Sequence, residues 1–230
     1  MTIPGQGPAA AARVGVFGGT FNPIHVGHLR AAEEVTEALG LERMLFVPSA
    51  APPHKADPAG DAVAPAEWRL AWVRAAVQGN PRFQVDALEV ERGGPSYSVD
   101  TLRILGERLA PERPVFVIGH DAFVDLGTWR EPETILSLAH FAVTTRPPVA
   151  RGQLADWLPK SVRDDVAVAP DGLSGRHRSA GTWIRLIEIS ALDVSASDIR
   201  TRLREGRSVR YLLPEAVRIA VLESRAYALR

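Results

Sequence analysis

The sequence predicts a doubly wound α/β fold built on a parallel sheet, and two observations predict it. Short apolar runs of strand length alternate with helical stretches from residue 13 onward, as parallel strands joined by crossover helices require. The first of these runs ends in a glycine pair and leads through a short loop into a helix, which is how such sheets present their ligand-facing edge.

Taken in order, residues 13–18 (RVGVFG) read as the first strand, and Val26–Leu39 carries apolar residues at helical spacing until Gly40 stops it. Residues 43–47 (RMLFV) form the next strand, a Pro- and Ala-rich loop covers 48–65, and a helix follows over 66–78. The alternation continues with a strand at Phe83–Val85, a helix over 99–109 and strands over 115–118 and 141–144. Residues 146–179 are rich in Pro, Gly and charge with weak periodicity, so the segment 147–180 is expected to be a variable excursion holding at most a short helix near Leu154 and no function. A last strand is expected over 184–189, then closing helices over 197–205 and 214–226, with Pro214 suited to a first helical position. The organisation expected is a disordered leader over residues 1–12 and a single domain over 13–230.

Bulk composition narrows the function classes. With 230 residues and 46% hydrophobic content the chain can build a sizeable core. Twenty-seven basic residues balance twenty-seven acidic ones, so no net field draws the protein to nucleic acid or an anionic membrane. Any phosphate site must be local. The sequence has no cysteine, which excludes disulfides, thiolate metal sites and a cysteine nucleophile, and suits a reducing compartment such as the cytoplasm. No apolar run is long enough to span a bilayer, and the leader lacks the core of a signal peptide.

The chemistry concentrates at residues 18–28, GGTFNPIHVGH. Gly18 and Gly19 let backbone amides approach an anion, Thr20 adds a hydroxyl, Pro23 stiffens the loop, and the positive end of the following helix faces the same space. Together they describe a phosphate cradle. His25 and His28 are three residues apart, which puts both rings on one side of the first turn. Two imidazoles beside a phosphate cradle can donate hydrogen bonds to oxygens that gain charge during phosphoryl-type transfer. No further His or carboxylate lies nearby at ligand spacing, so a metal held by the pair is not expected. The patterns GxxxxGK[ST] and GxGxxG are both absent, which argues against P-loop kinases and dinucleotide-dependent oxidoreductases.

GGTFNPIHVGH resembles the His-x-Gly-His signature of the nucleotidyltransferase superfamily, and in particular that of the bacterial nicotinate-nucleotide adenylyltransferases. The resemblance extends through APPHK at 51–55, PSYSVDTL at 95–102, IGHDAF at 118–123, TWREPETIL at 128–136, VSASDIR at 194–200 and RYLLPEAV at 210–217, in the family's order. It implies a Rossmann-like nucleotidyltransferase fold with closing C-terminal helices. It also implies transfer of AMP from ATP to nicotinate mononucleotide in NAD synthesis, with Mg²⁺ accompanying the ATP, by direct in-line attack and without a covalent intermediate.

Residue by residue, the resemblance implies catalytic roles for His25 and His28. ATP would be held by Gly18, Gly19, Thr20, Phe21, Asp121, Ser195, Ser197 and Arg200. Nicotinate mononucleotide would be held by Asn22, His54, Lys55, Tyr97, Ser98, Trp129 and Arg146. The VSASDIR segment also has a physical sense of its own, since hydroxyls and amides where a helix begins can hold phosphates. Ala196 and Ser197 depart from the family's ISSTxIR pattern, which removes one hydroxyl, and His120 is an unusual residue before Asp121. His140 and His177 have no supporting context and are expected to be structural. The partners implied are the two small-molecule substrates, with no nucleic acid and no membrane; a homo-oligomer is compatible with the sequence. The alternatives are a sibling enzyme acting on nicotinamide mononucleotide or pantetheine phosphate, and a nucleotide-binding module without turnover.

Overall fold

The computed structural model describes residues 14–52, 63–145, 154–190 and 192–227. Its centre is one eight-stranded sheet in the order β3-β2-β1-β4-β5-β8-β7-β6. The strands are β1 (Val14–Gly19), β2 (Arg43–Pro48), β3 (Phe83–Val85), β4 (Val115–Gly119), β5 (His140–Thr145), β6 (Val166–Val168), β7 (Ser174–His177) and β8 (Trp183–Glu188). Pairings from β3 across to β8 are parallel, and β7 and β6 add an antiparallel edge.

Side chains alternate across each strand and feed two apolar layers. Met44, Phe46, Val115 and Val117 point to one layer, where they meet Ala31, Ala32 and Val35 of α1 (Val26–Leu39), Trp72, Val73 and Val77 of α2 (Ala66–Val77), and the closing helices. Leu45, Val47, Phe116, Ile118, Phe141 and Val143 point to the other, against Val99, Leu102 and Leu105 of the helix Ser98–Leu109. This is a three-layer doubly wound fold. In chain order the remaining helices are α3 (Leu88–Arg92), α4 (Ser98–Leu109), α5 (His120–Val124), α6 (Pro132–Leu138), α7 (Leu154–Trp157), α8 (Ala196–Arg204) and α9 (Glu215–Ser224).

The expected parallel sheet is present, and α1 begins and ends at the expected residues with Gly40 in the left-handed region at φ 63°. The excursion is richer than expected. Its described part forms α7, a 3₁₀ turn over Lys160–Asp165 and the β6–β7 hairpin that extends the sheet. Strands this short, Val166–Val168 and Ser174–His177, carry too few residues for alternation to register in sequence. The leader and residues 147–153 lie outside the described residues.

Strand order reverses direction at β1, whose neighbours are β2 and β4. With β2 it pairs along its whole length, to Gly19 opposite Pro48, whereas with β4 it pairs only at Gly15 and Val16. Beyond Val16 the two strands part, and the crevice between their carboxyl ends is the place where this class of sheet holds ligands.

Candidate active site

A cavity of about 390 Å³ opens at that parting of strands. Gly18, Gly19 and Thr20 form one wall, and Ser96, Tyr97, Ser98, Thr101, Trp129 and Arg130 form another. The sequence had linked these segments only through resemblance; the topology brings them to one crevice. Tyr97 is the residue before α4 and Ser98 its first residue, so this wall is the positive end of a helix. The guanidinium of Arg130 lies over the Tyr97 ring, 4.9 Å from its centroid.

The histidine pair stands at the start of α1. His25 has an extended backbone (φ −143°, ψ 171°) and His28 lies one turn on. Their ring centroids are 3.7 Å apart and the planes are tilted by 34°. The His25 N–H donates to His28 Nδ1 at 3.2 Å, which requires the His28 ring proton to sit on Nε2, so Nε2 is a donor. The glycine between the histidines has a steric cause. A Cβ at Gly27 would lie 3.0 Å from His25 Nδ1 and 3.1 Å from its Cε1, too close for the ring to stay where it is.

Phe21 is 3% exposed, and its ring meets His28 edge-on at 5.2 Å. Its φ of 47° lies in the left-handed region, an uncommon conformation for an aromatic residue and one that marks a constrained loop. Asn22 is buried, and its Oδ1 accepts from the Ala64 N–H at 3.0 Å and the Tyr227 hydroxyl at 2.6 Å. Burial pushes the Tyr227 phenol well above its ordinary range, which keeps it a hydroxyl donor.

The second signature lies against the first. At the start of α8, Ser195 Oγ accepts from the Asp198 N–H at 3.1 Å, an N-cap. Arg200 is buried, donating from Nη1 to the Asn22 carbonyl at 3.0 Å and from Nη2 to Ser197 Oγ at 3.3 Å. The Val194 carbonyl lies 3.7 Å from where a Gly27 Cβ would be. Two helix starts, those of α1 and α8, therefore converge on one space, and their amide dipoles add there.

Asp121 is in the first turn of α5 beyond β4, fully exposed, with His120 Nδ1 3.2 Å from its Oδ1. The His120 ring packs on Trp157 at 4.1 Å, which ties the excursion to this edge of the sheet. His54, Lys55 and Arg146 lie outside the described residues. His140 is a structural residue, stacked on Trp183 at 4.6 Å and 7° and accepting its N–H at Nδ1. The resemblance did not single out two further buried charges, Glu89 in the lining of the crevice and Arg69 bonded to the Thr20 carbonyl. Arg69 did carry a signal, being a charge three and four residues from the apolar Trp72 and Val73 on one helix face.

Among the described residues no group of three or more His, Asp or Glu is arranged to hold a metal ion, and no helix is long and apolar enough to cross a membrane.

The fold and the crevice define a nucleotidyltransferase of the Rossmann-like type, and the Cytidylyltransferase-like family matches residues 16–202. A protein of Geobacter sulfurreducens named "Probable nicotinate-nucleotide adenylyltransferase" is 42% identical over 94% of this chain and 98% of its own length. One of the same name from Halorhodospira halophila is 46% identical over 93% and 94%. The solved structure of Plasmodium falciparum nicotinic acid mononucleotide adenylyltransferase complexed with NaAD superposes with a TM-score of 0.69 over 93% of this chain and 96% of that one, at 15% identity. The chain belongs to the nicotinate-nucleotide adenylyltransferase branch of the Cytidylyltransferase-like family.

Proposed function

We propose that the protein transfers AMP from ATP to nicotinate mononucleotide, giving nicotinate adenine dinucleotide and pyrophosphate in NAD biosynthesis. The observation that carries this reading is the closely packed His25–His28 pair at the start of α1, in the helix that follows the glycine loop, itself one wall of a crevice whose other wall carries Tyr97 and Trp129. Family membership and the names of relatives support the choice of substrates.

In the proposed reaction an oxygen of the acceptor's 5′-phosphate attacks the α-phosphorus of ATP in line. That P–O bond forms as the bond from the α-phosphorus to the bridging oxygen breaks, and pyrophosphate leaves with the bonding electrons. No side chain becomes covalently attached, so the protein's part is positioning and charge stabilisation. Gly18, Gly19 and Thr20 cradle phosphate with backbone amides. His28 Nε2, with His25 packed on its ring, donates to oxygens that become more negative in the transition state. The α8 start and Arg200 hold the β- and γ-phosphates, with Ser195 and Ser197 supplying amides beside their capping roles. Phe21 acts by packing His28, and Asp121 offers a carboxylate to ribose hydroxyls.

Asn22, with its oxygen engaged inside the protein, shapes the acceptor side through its backbone. Tyr97, Ser98 and Trp129 receive the pyridine ring, where a helix start favours a ring carboxylate over an amide. His54, Lys55 and Arg146 complete the acceptor's phosphate contacts. A divalent cation, which we take to be Mg²⁺, enters with the triphosphate as part of the nucleotide substrate, since an ion of this kind binds through phosphate oxygens and water with few protein ligands. The cytoplasm is the compartment that fits an ATP-consuming enzyme without cysteine.

Purified protein given Mg-ATP and each mononucleotide in turn tests the reading. Expected is dinucleotide and pyrophosphate with nicotinate mononucleotide, at a kcat/KM roughly 10² or more above that for the nicotinamide form. Comparable values for both acceptors would refute the selectivity, and no dinucleotide from any acceptor would leave a binding module.

A further inference from the structure

Arg69 is 1% exposed, and among the described residues no carboxylate pairs with it directly, although Glu67 and Glu89 are near enough to favour its charge. Its fork donates to three backbone carbonyls: from Nε to Ala64 at 2.8 Å, from Nη1 to Thr20 at 2.7 Å and from Nη2 to Ala50 at 2.8 Å. Burial lowers its pKa, the cost of keeping a cation in this place. A buried charge is seldom the most stable filling for a core position, because well-packed apolar residues of similar size often do as well. What the guanidinium supplies and an apolar group cannot is a rigid plane that holds three carbonyls at fixed spacing.

Those carbonyls belong to separate segments. Thr20 is in the glycine loop after β1, Ala50 follows β2, and Ala64 precedes α2. From Ala50 the bonding continues. Its N–H donates to Ser96 Oγ at 2.9 Å, and the Ser96 N–H donates to the Ala51 carbonyl at 2.9 Å. The Ser96 side chain also lies beside the buried Glu89 and helps to lower the pKa that burial raises, and Glu89 accepts from Thr101 Oγ1 at 2.6 Å. Hydrogen bonds thus run from Thr20 on the phosphate side of the cavity to Ser96 on the aromatic side, and the Glu89–Thr101 pair extends that line beyond Ser96.

We propose that Arg69 is a positioning residue for adenylyl transfer, its planar fork setting the distance between the glycine loop and the Ser96–Thr101 wall. The inference rests on the adenylyl-transfer reading for its kinetic consequence, although the coupling of the two walls is a property of the fold itself. In-line attack needs the two phosphates aligned, and misplacement by about 1 Å can cost on the order of 10²-fold in rate. Neither substrate has to touch Arg69 for this to act, so affinity for each alone should change little.

The test uses Arg69→Lys, which keeps the charge and loses the fork, and Thr101→Val, which cuts the far end of the line. Two readouts are taken on the full chain: steady-state kinetics with Mg-ATP and nicotinate mononucleotide, and amide hydrogen exchange at residues 18–21 and 95–98. Expected for Arg69→Lys is a kcat lower by roughly 10- to 100-fold, with both KM values within about threefold of wild type. In each variant exchange should accelerate at both segments together, including residues 18–21 in Thr101→Val. Wild-type kcat in Arg69→Lys would overturn the proposal by showing that charge suffices, and so would acceleration confined to the segment next to each substitution. If Arg69→Lys does not fold, Thr101→Val alone decides, because unchanged exchange at residues 18–21 would refute the coupling. A wild type without turnover would refute the proposed reaction and leave the exchange result to stand or fall separately.

Discussion

Replacing Gly27 by alanine tests the histidine pair without altering either histidine. The added Cβ would lie 3.0 Å from His25 Nδ1 and 3.1 Å from Cε1, and 3.7 Å from the Val194 carbonyl. Ordinary contact between such atoms begins near ~3.5 Å, so the His25 ring must move by about 0.5 Å. It cannot do so unnoticed, since it is 6% exposed and packed against His28 with ring centroids 3.7 Å apart. Gly27 lies in the first turn of α1, where exchanging glycine for alanine stabilises a helix by roughly 0.5–1 kcal/mol. The two effects have opposite signs. Stability should hold or rise, by up to about 2–4 °C in Tm for a domain of this size, while kcat falls by roughly 10- to 100-fold through the displaced donor. Thermal unfolding and steady-state turnover on one preparation give both numbers. An unchanged kcat in a folded Gly27→Ala variant would refute the claim that the glycine is there to admit the His25 ring.

Three further expectations follow from the same geometry. His28→Ala should lower kcat on the order of 10²–10³-fold with unfolding unchanged, as for loss of one transition-state donor, and equal turnover would remove His28 from the chemistry. Arg200→Ala should raise the KM for ATP more than that for the acceptor, read from initial rates with each substrate varied; the reverse order would mean that its bond to the Asn22 carbonyl serves the acceptor side. Burial first, and then Arg113, Arg176 and Arg185, hold the pKa of His140 down from 6.5 to about 4. The unfolded chain therefore takes up a proton that the folded site refuses, so this contribution is fully present above pH 6.5 and is lost as the pH falls toward 4. Urea midpoints should drop less between pH 7 and 4.5 in His140→Gln than in wild type, and equal drops would refute the assignment.

Legibility followed the length of the pattern. Val26–Leu39 could be read to the residue because fourteen residues of helical spacing end in a glycine with a left-handed backbone. The turns at 120–128, built by α5 and the 3₁₀ turn Asp125–Thr128, left no such trace, since helices of four or five residues present barely one turn of periodicity. The β6–β7 hairpin was hidden for the same reason. Among the site segments, residues 18–28 could be argued from chemistry alone because cradle, helix start and imidazoles are contiguous. Tyr97, Ser98 and Trp129 could not, because only the parting of β1 from β4 beyond Val16 brings them opposite Gly18 and Gly19.

The buried charges say why that edge of the sheet is built as it is. Among the described residues, Arg69, Glu89 and Arg200 are the buried side chains of formal charge. Arg69 bonds the Thr20 carbonyl and Arg200 the Asn22 carbonyl, so two cations grip the two ends of one three-residue stretch of the glycine loop. That stretch contains Phe21, whose positive φ disfavours the loop's own conformation and whose ring packs on His28. A loop that is locally disfavoured persists only where its surroundings overdetermine it. The two arginines, with the Tyr227 hydroxyl on Asn22, do so from the α2 side and from the C-terminal helices at once. Helices more than a hundred residues apart in sequence thereby fix the position of His28 through the loop that packs on it.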